Sequence, residues 1–476
     1  MPLFHALPAG ARRAALLLLA LAACGDGSPV QPGEENGAPT ARDDIATTLW
    51  AVPLSLGVME NDTDPDADGL RLGAVLAPRH GTATAYGDSI RYVAPGGFTG
   101  TDQFRYVVSD GQGGSDTAAV TVTVRAMGYA VEVVGTLGNW SFASDAGEDG
   151  SVAGFGYTVV GSEALRLAFV ARGGTTVLLP GLGGSETVAL GVNGTGTVVG
   201  ASRLLGNETY HAVLWKGGAV VDLGKDLGVG SFAEDVNDAD QVVGEFFDAA
   251  LQSLAVRWLE GQARPMGIRG AALSITGQGQ MSGFAAEPGG VRLAYTIAQA
   301  GQVGVLPALP NSGFAMALSL NDAGEAVGVS RSGSPANRAV WWRGGSVSQL
   351  PVPGDAIASR AHRINRDSQV AGVYSVLLAG DTVELGAVWH QGEFHDLTSL
   401  VLDGRWVVTG AYGITDGGMI AADGFDPATG EVRALALHPR VAPAGSAAAV
   451  SRTPVRPPRM APPPERRRPG RPSPAR

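Results

Sequence analysis

A hydrophobic–turn–hydrophobic unit recurs along this chain and limits it to a small set of repeat architectures. It reads AEDVNDADQVVGE at 233–245, ALGVNGTGTVVGA at 189–201, ALSLNDAGEAVGV at 317–329 and AHRINRDSQVAGV at 361–373. Aligned on the glycine near its end, the copies fall at Gly154, Gly200, Gly244, Gly283, Gly328 and Gly372, and a seventh has Ala422 there. The intervals are 46, 44, 39, 45, 44 and 50 residues. A period of about 44 residues is the size of one four-stranded propeller blade.

Each period reads as four strands. The first ends in ALSL or AEDV, and an Asn/Asp/Gly turn leads to QVVGE or EAVGV. A variable loop leads to HAVLWKGG (211–218) or RAVWWRGG (338–345), and a glycine turn leads to AVVDLG (219–224) or SVSQLP (346–351). Such units build an open solenoid or a closed propeller. The chain ends decide between them. The seventh copy stops at its third strand, VRALALHP (432–439), while YAVEVVGTLG (129–138) matches a fourth strand with no first three before it. Joining the two completes a seventh blade and leaves no open edge. The expected fold is all-β, with a seven-bladed propeller over 128–440.

Before the repeats, residues 41–126 alternate apolar and polar residues in LRLGAVLAP, HGTATAYGDSIRYVAP, DQFRYVVSDGQGG and DTAAVTVTV, with turn residues between. This is the pattern of a small Ig-like β-sandwich. The segments NDTDPDADGL, PRHGTA, IRYVAPGGFTGTDQFRYVVSDGQGG and AVTVTV resemble the cadherin-like, Ig-like tandem repeats of bacterial surface proteins. Within this unit Asp62, Asp64, Asp66 and Asp68 alternate before Gly69, and Asp43 and Asp44 precede them. Alternating carboxylates on a turn suit Ca²⁺, which takes six to eight oxygens. The pattern suits an Asx-rich surface turn equally, and no EF-hand glutamate follows. Ca²⁺ is the one candidate cofactor.

The N-terminus carries Arg12 and Arg13, an apolar run over 14–20, and Leu21-Ala22-Ala23-Cys24. The run is shorter than the roughly 20 residues of a membrane-spanning helix. The segment resembles the bacterial lipoprotein box, which implies a signal peptide over 1–23, lipidation at Cys24, palmitate among the attached chains, and a partner in the membrane. Gly25, where inner-membrane retention favours Asp, points to the outer membrane or cell surface. Cys24 is the single cysteine, which excludes an intramolecular disulfide and a cysteine zinc site. Residues 24–40 read as a flexible tether.

Net charge is −11. The tail from 451 holds eight Arg and one Glu, so the remainder carries −18. An acidic body argues against nucleic acid as a partner. The Pro/Arg-rich tail, 441–476, has no means to pack. It either touches anionic polysaccharide or lipid head groups, or extends passively.

The repeats resemble the HAF repeat of bacterial extracellular proteins. His211-Ala212-Val213 comes closest to the name-giving triplet, and Asp222-Leu223-Gly224 fits too. The resemblance implies fold and location, with no defined activity. Trp215, Trp258, Trp341 and Trp389 recur on the third strands and suit inter-blade packing better than sugar stacking. Asn237-Asp238 and Asn321-Asp322 suit tight turns better than cation ligation. His390 and His395 lie five apart across a turn, without metal spacing or a catalytic triad order. The innermost strands are small and apolar apart from His362 and Arg363, so an enzyme is not expected. The variable loops 203–209, 246–253, 331–337, 374–385 and 398–409 share one face, where recognition is expected. The resulting expectation is a lipid-anchored, cell-surface binding or scaffold protein contacting an extracellular glycan or protein. The alternatives are a purely structural envelope protein, or a propeller lyase or hydrolase. Ligand identity and oligomeric state are not legible.

Overall fold

The computed structural model describes residues 36–442 apart from 51, 136, 139, 161–162, 207–208 and 333–335. Cys24, the signal peptide and nearly all of the Arg-rich tail lie outside the described residues. Among the described residues no helix is long and apolar enough to cross a membrane.

Two sheets form the N-terminal unit. One has the order Asp44–Leu49, Ser115–Arg125, Gly100–Ser109, Arg71–Val75; the other has Leu54–Leu56, Ser89–Val93, Thr82–Tyr86. Inward residues Ile90, Tyr92, Phe104, Tyr106, Val120 and Val122 fill the space between. Asp102 accepts backbone N–H groups of Arg79 (3.1 Å) and Gly81 (2.9 Å) and the Tyr92 hydroxyl (2.8 Å). That explains why the PRHG turn and Asp102 occur together.

Ala126 alone separates this sandwich from the strand Met127–Val133. That strand pairs antiparallel with Glu431–Val441 and completes blade seven. The innermost strands of the seven blades are Trp140–Ala146, Gly183–Val192, Gly230–Val236, the end of Gln262–Ile275, Ala315–Leu320, Ala356–Ile364 and Val407–Ile414. The strand Gln262–Ile275 is shared: Gln262–Pro265 closes blade three, and Gly270–Ile275 opens blade four. No loop separates these two blades, which accounts for the short interval of 39 residues.

The aligned glycine has a steric cause. Each pairs with a buried alanine of the inner strand, such as Gly200 with Ala189 and Gly244 with Ala233. A bulge just beyond draws the strands together, so a Cβ on Gly200 or Gly244 would collide with the carbonyl oxygen of Val188 or Phe232. Blade seven has Ala422 at this position, opposite Ala411, and carries a second register shift between Val408 and Gly410.

The indoles of Trp215, Trp258, Trp342 and Trp389 are buried and pin each blade to the link from the one before. Their Nε1 groups donate to the carbonyls of Pro180 (2.7 Å), Leu223 (2.9 Å), Pro307 (2.6 Å) and Pro351 (2.6 Å). The fifth-blade member is Trp342, not Trp341. Trp342 lies opposite Ala326 as Trp389 lies opposite Val370. The strings AVWW and AVWH look alike, but the sixth-blade strand pairs one residue out of step.

Candidate functional site

The inner strands all end at one mouth of the central channel. Their last turns surround a cavity of about 230 Å³. A bulge precedes the residue two before each turn, and these equivalent residues are Asp145, Gly191, Asp235, Ser274, Ser319, Arg363 and Gly413. Bulges re-aim side chains.

Arg363 lies between two carboxylates. Its Nε and Nη2 donate to Asp145 (3.0 and 2.6 Å), and Nη1 and Nη2 donate to Asp235 (2.9 and 3.0 Å). Asp145 and Asp235 are buried at 3% and 4% exposure. They also accept the N–H groups of Val192 (3.2 Å) and Ile275 (2.9 Å). Burial pushes the Asp145 carboxyl up to about 6, against the opposing pull of Arg363 and with Asp235 adding to it. The same two carboxylates hold Arg363 above its ordinary range despite its burial. Glycine at 191 and 413 leaves space, since a Cβ on Gly191 would sit 3.0 Å from Asp235 Cα.

Around this centre runs a collar of amides. Asn193 Nδ2 donates to the Asn237 carbonyl (2.9 Å), and Asn237 Nδ2 to that of Thr276 (3.0 Å). Asn321 does the same to Asn365 (3.1 Å), and Asn365 to Thr415 (2.9 Å). Each Oδ1 accepts from its own turn, as Asn237 does from Gln241 N (3.0 Å). The Asn237 and Asn321 turns are therefore structural. Asp238 joins them by accepting Gly194 N at 2.8 Å, while Asp322 Oδ1 is buried without a partner. Glu148, Asp238, Asp322, Arg366 and Asp416 are the charged side chains of the rim. Burial, with Asp416 nearby, pushes the Glu148 carboxyl up to about 7.

This mouth lies on the face of the first-to-second strand turns, opposite the variable loops. Two of those loops are also not free. Residues 374–385 are mostly hairpin, turning at Ala379 (φ 51°) and Gly380 (φ 87°). In 398–409, a short helix Leu397–Leu400 leads to Leu402, whose N–H donates to Tyr129 on the closing strand (3.0 Å). That segment is packed into the blade-seven closure.

Of the four candidate Ca²⁺ ligands, Asp64, Asp66 and Asp68 lie with carboxylate oxygens within 4.8 Å of one another. Asp62 stands apart. It is buried and accepts the Arg42 N–H (2.7 Å) and the Tyr106 hydroxyl (3.0 Å). Asp64 also caps its own turn, accepting Asp66 N at 2.9 Å and Asp68 N at 3.1 Å. Burial raises the Asp44 carboxyl to about 6 against the Tyr106 hydroxyl, with Asp62 and Asp43 adding to the rise.

His211 bonds Asp222 at 3.0 Å, so the two repeat motifs meet across a hairpin. His362 stacks on Tyr412 at 5.0 Å, next to the channel. His390 and His395 face the Ig-like unit. Asp145 and Asp235 escaped the sequence reading. Comparing all seven residues two before the turn, rather than Arg363 alone, would have found them.

No curated protein matches the chain. Among solved structures it is similar to the β-propeller domain of the Trilobed protease from Pyrococcus furiosus, which has an open velcro topology. Identity there is 10%, with 63% of this chain and 95% of that chain covered and a TM-score of 0.43. It is also similar to the Pyrococcus horikoshii acylaminoacyl peptidase, at 12% identity, 64% and 52% coverage and a TM-score of 0.42, and so spans about half of that peptidase. AofleA from Arthrobotrys oligospora is similar at 13% identity, 57% and 89% coverage and a TM-score of 0.35. Residues 36–123 match the bacterial Ig domain family, which identifies the sandwich that precedes the propeller.

Proposed function

We propose that this is an exported, lipid-anchored binding protein of the bacterial surface, held through Cys24, whose propeller receives an extracellular glycan or protein segment at the channel mouth. The HAF-type repeats and the lipoprotein box, as resemblances, support the location. The observation that carries the binding reading is the state of Arg363. Its guanidinium is consumed by Asp145 and Asp235, so the buried charges serve the ring itself. On the rim, Asp322 and the Arg366–Asp416 ion pair remain to meet a polar partner. Pockets with a few convergent polar groups on a rigid frame are the usual form of a binding site.

The test is capture on an immobilised glycan panel and from solubilised envelope, by the full chain and by an Asp322→Ala/Arg366→Ala variant. Saturable capture by the parent and its loss in the variant supports the mouth. Equal capture by both refutes it. A propeller hydrolase or lyase is the second reading, favoured by one observation: Asp145 is a buried carboxyl with its proton affinity raised. Turnover of a captured glycan, abolished by Asp145→Asn, would select it.

A further inference from the structure

The Ig-like unit rests on the outer hairpin of blade six, Asp381–His390 and Glu393–Asp396. Register pairs His390 with Glu393 and Val388 with His395, so these side chains share one face. Three Ig-like residues meet that face. The Trp50 ring lies 5.0 Å from the His395 ring. A Cβ on Gly96 would sit 2.6 Å from His395 Nε2 and 3.1 Å from Glu393 Oε2. The backbone of Ala94 faces His390, outside ordinary hydrogen-bond geometry. His390 is 1% exposed. Both its ring nitrogens, and Nε2 of His395, are buried without a hydrogen-bond partner.

Buried polar groups are almost always paired, and each orphan calls for a cause. A neutral imidazole tolerates such a seam at modest cost, whereas an imidazolium without a partner does not. Arg91 of the sandwich also meets blade six. It pairs with Asp367 on the blade-six turn, and Asp416 and Arg366 of the channel rim act on it. The closed seam therefore ties the Ig-like unit to the edge of the mouth.

We propose that this seam is an acid-released latch, in which protonation of His390 and His395 frees the Ig-like unit from blade six and withdraws Arg91 from the rim. The consequence for ligand access rests on the reading of the mouth as a binding site; the opening itself does not. His390 is the principal sensor. Burial pushes it down to about 4 against the opposing effect of the Ala94 backbone, and a charge on His395 would add to the fall. Burial lowers His395 too, but Glu393 on the same hairpin opposes the shift. From the sandwich side, Arg91 brings a charge to the seam, and Asp367 holds it.

The sign follows from the lowered values. Protons bind the open seam more tightly than the closed one. Docking is complete above the ordinary histidine value of 6.5, weakens as pH falls, and stops weakening below about 4. His390 alone is expected to reduce the docking constant on the order of 100-fold between pH 7 and pH 4.5.

Small-angle X-ray scattering of the full chain from pH 7.5 to 4, with far-UV circular dichroism on the same samples, tests this. The expected result is a reversible rise in maximum dimension below about pH 6 with the β signal unchanged, moved to lower pH in a His390→Gln/His395→Gln variant. Constant dimensions down to pH 4 overturn the latch. So does expansion that coincides with loss of the β signal, or an unmoved midpoint in the variant. Should that variant not fold, an NMR titration of the parent histidine ring protons decides: a His390 midpoint coincident with the expansion supports the latch, and a His390 that stays neutral through it overturns it.

Discussion

Arg363 and Asp145 lie on blades six and one, and their bidentate contact passes over Gly413 of blade seven, which has no side chain to obstruct it. The closing blade is thus bridged from both sides by one ion pair. Removing the guanidinium strands two buried carboxylates. Arg363→Met is expected to lower stability by roughly 3–5 kcal/mol in urea unfolding. Adding Asp145→Asn and Asp235→Asn should restore most of it. A loss below about 1 kcal/mol would mean that the carboxylates are solvated by water or take up protons once Arg363 is gone.

Trp341 and Trp342 are adjacent but unequal. Trp342 Nε1 meets the Pro307 carbonyl, while Trp341 Nε1 is buried without a partner. Trp342→Phe leaves that carbonyl unsatisfied and is expected to cost about 1–3 kcal/mol. Trp341→Phe loses no hydrogen bond and should cost clearly less. Thermal melts of the two variants under one buffer give the comparison, and equal losses would contradict the pinning role.

Asp423 sits on blade seven with 4% exposure. Burial pushes its carboxyl up to about 8, against the opposing effects of the Ala143 N–H and the Tyr412 hydroxyl. The folded state therefore prefers the protonated form. Its stabilising share is present in full below the ordinary value of 3.8 and is lost as pH rises towards about 8. The slope is about 1.4 kcal/mol per pH unit. Asp423→Asn removes this loss, so the variant should gain at least about 1 kcal/mol over the parent at pH 7.5 and converge with it near pH 4. Denaturant midpoints across that range supply the check.

Calorimetric titration of the full chain with Ca²⁺ separates the four alternating aspartates. Asp64→Asn should weaken any Ca²⁺ heat by an order of magnitude or more. Asp62→Asn should leave that heat unchanged and instead lower the melting point, because it disturbs the Tyr106 and Arg42 contacts. No heat at millimolar Ca²⁺ in the parent leaves an Asx-rich turn.

The parts legible in the sequence were those dictated by backbone geometry. The aligned glycines repeat because a Cβ has no room beside the bulge, and the unmatched strand at 129–138 announces closure. The residues of the mouth were harder to see. Asp145, Asp235 and Arg363 are far apart along the chain and meet only because each occupies the same register position on a different blade. Read within one copy, each is an isolated polar residue. Trp341 is buried against blade six, as expected of an inter-blade indole. The register equivalent of Trp389 is Trp342, however, because pairing register, invisible in a string of letters, decides which indole reaches the link from the blade before. The histidines of the seam were visible, but the surface that buries them comes from another domain.

The single residue between Arg125 and Met127 has a mechanical consequence. A pull applied to the start of the sandwich passes along the chain into the closing strand. That strand is held to Glu431–Val441 by seven register pairs from Met127–Val441 to Val133–Leu435. Ladder hydrogen bonds run across the strands, so a force along the strand loads them together in shear instead of peeling them one by one. The ring is fastened where the sandwich joins it, in the loading direction that a strand pair resists best.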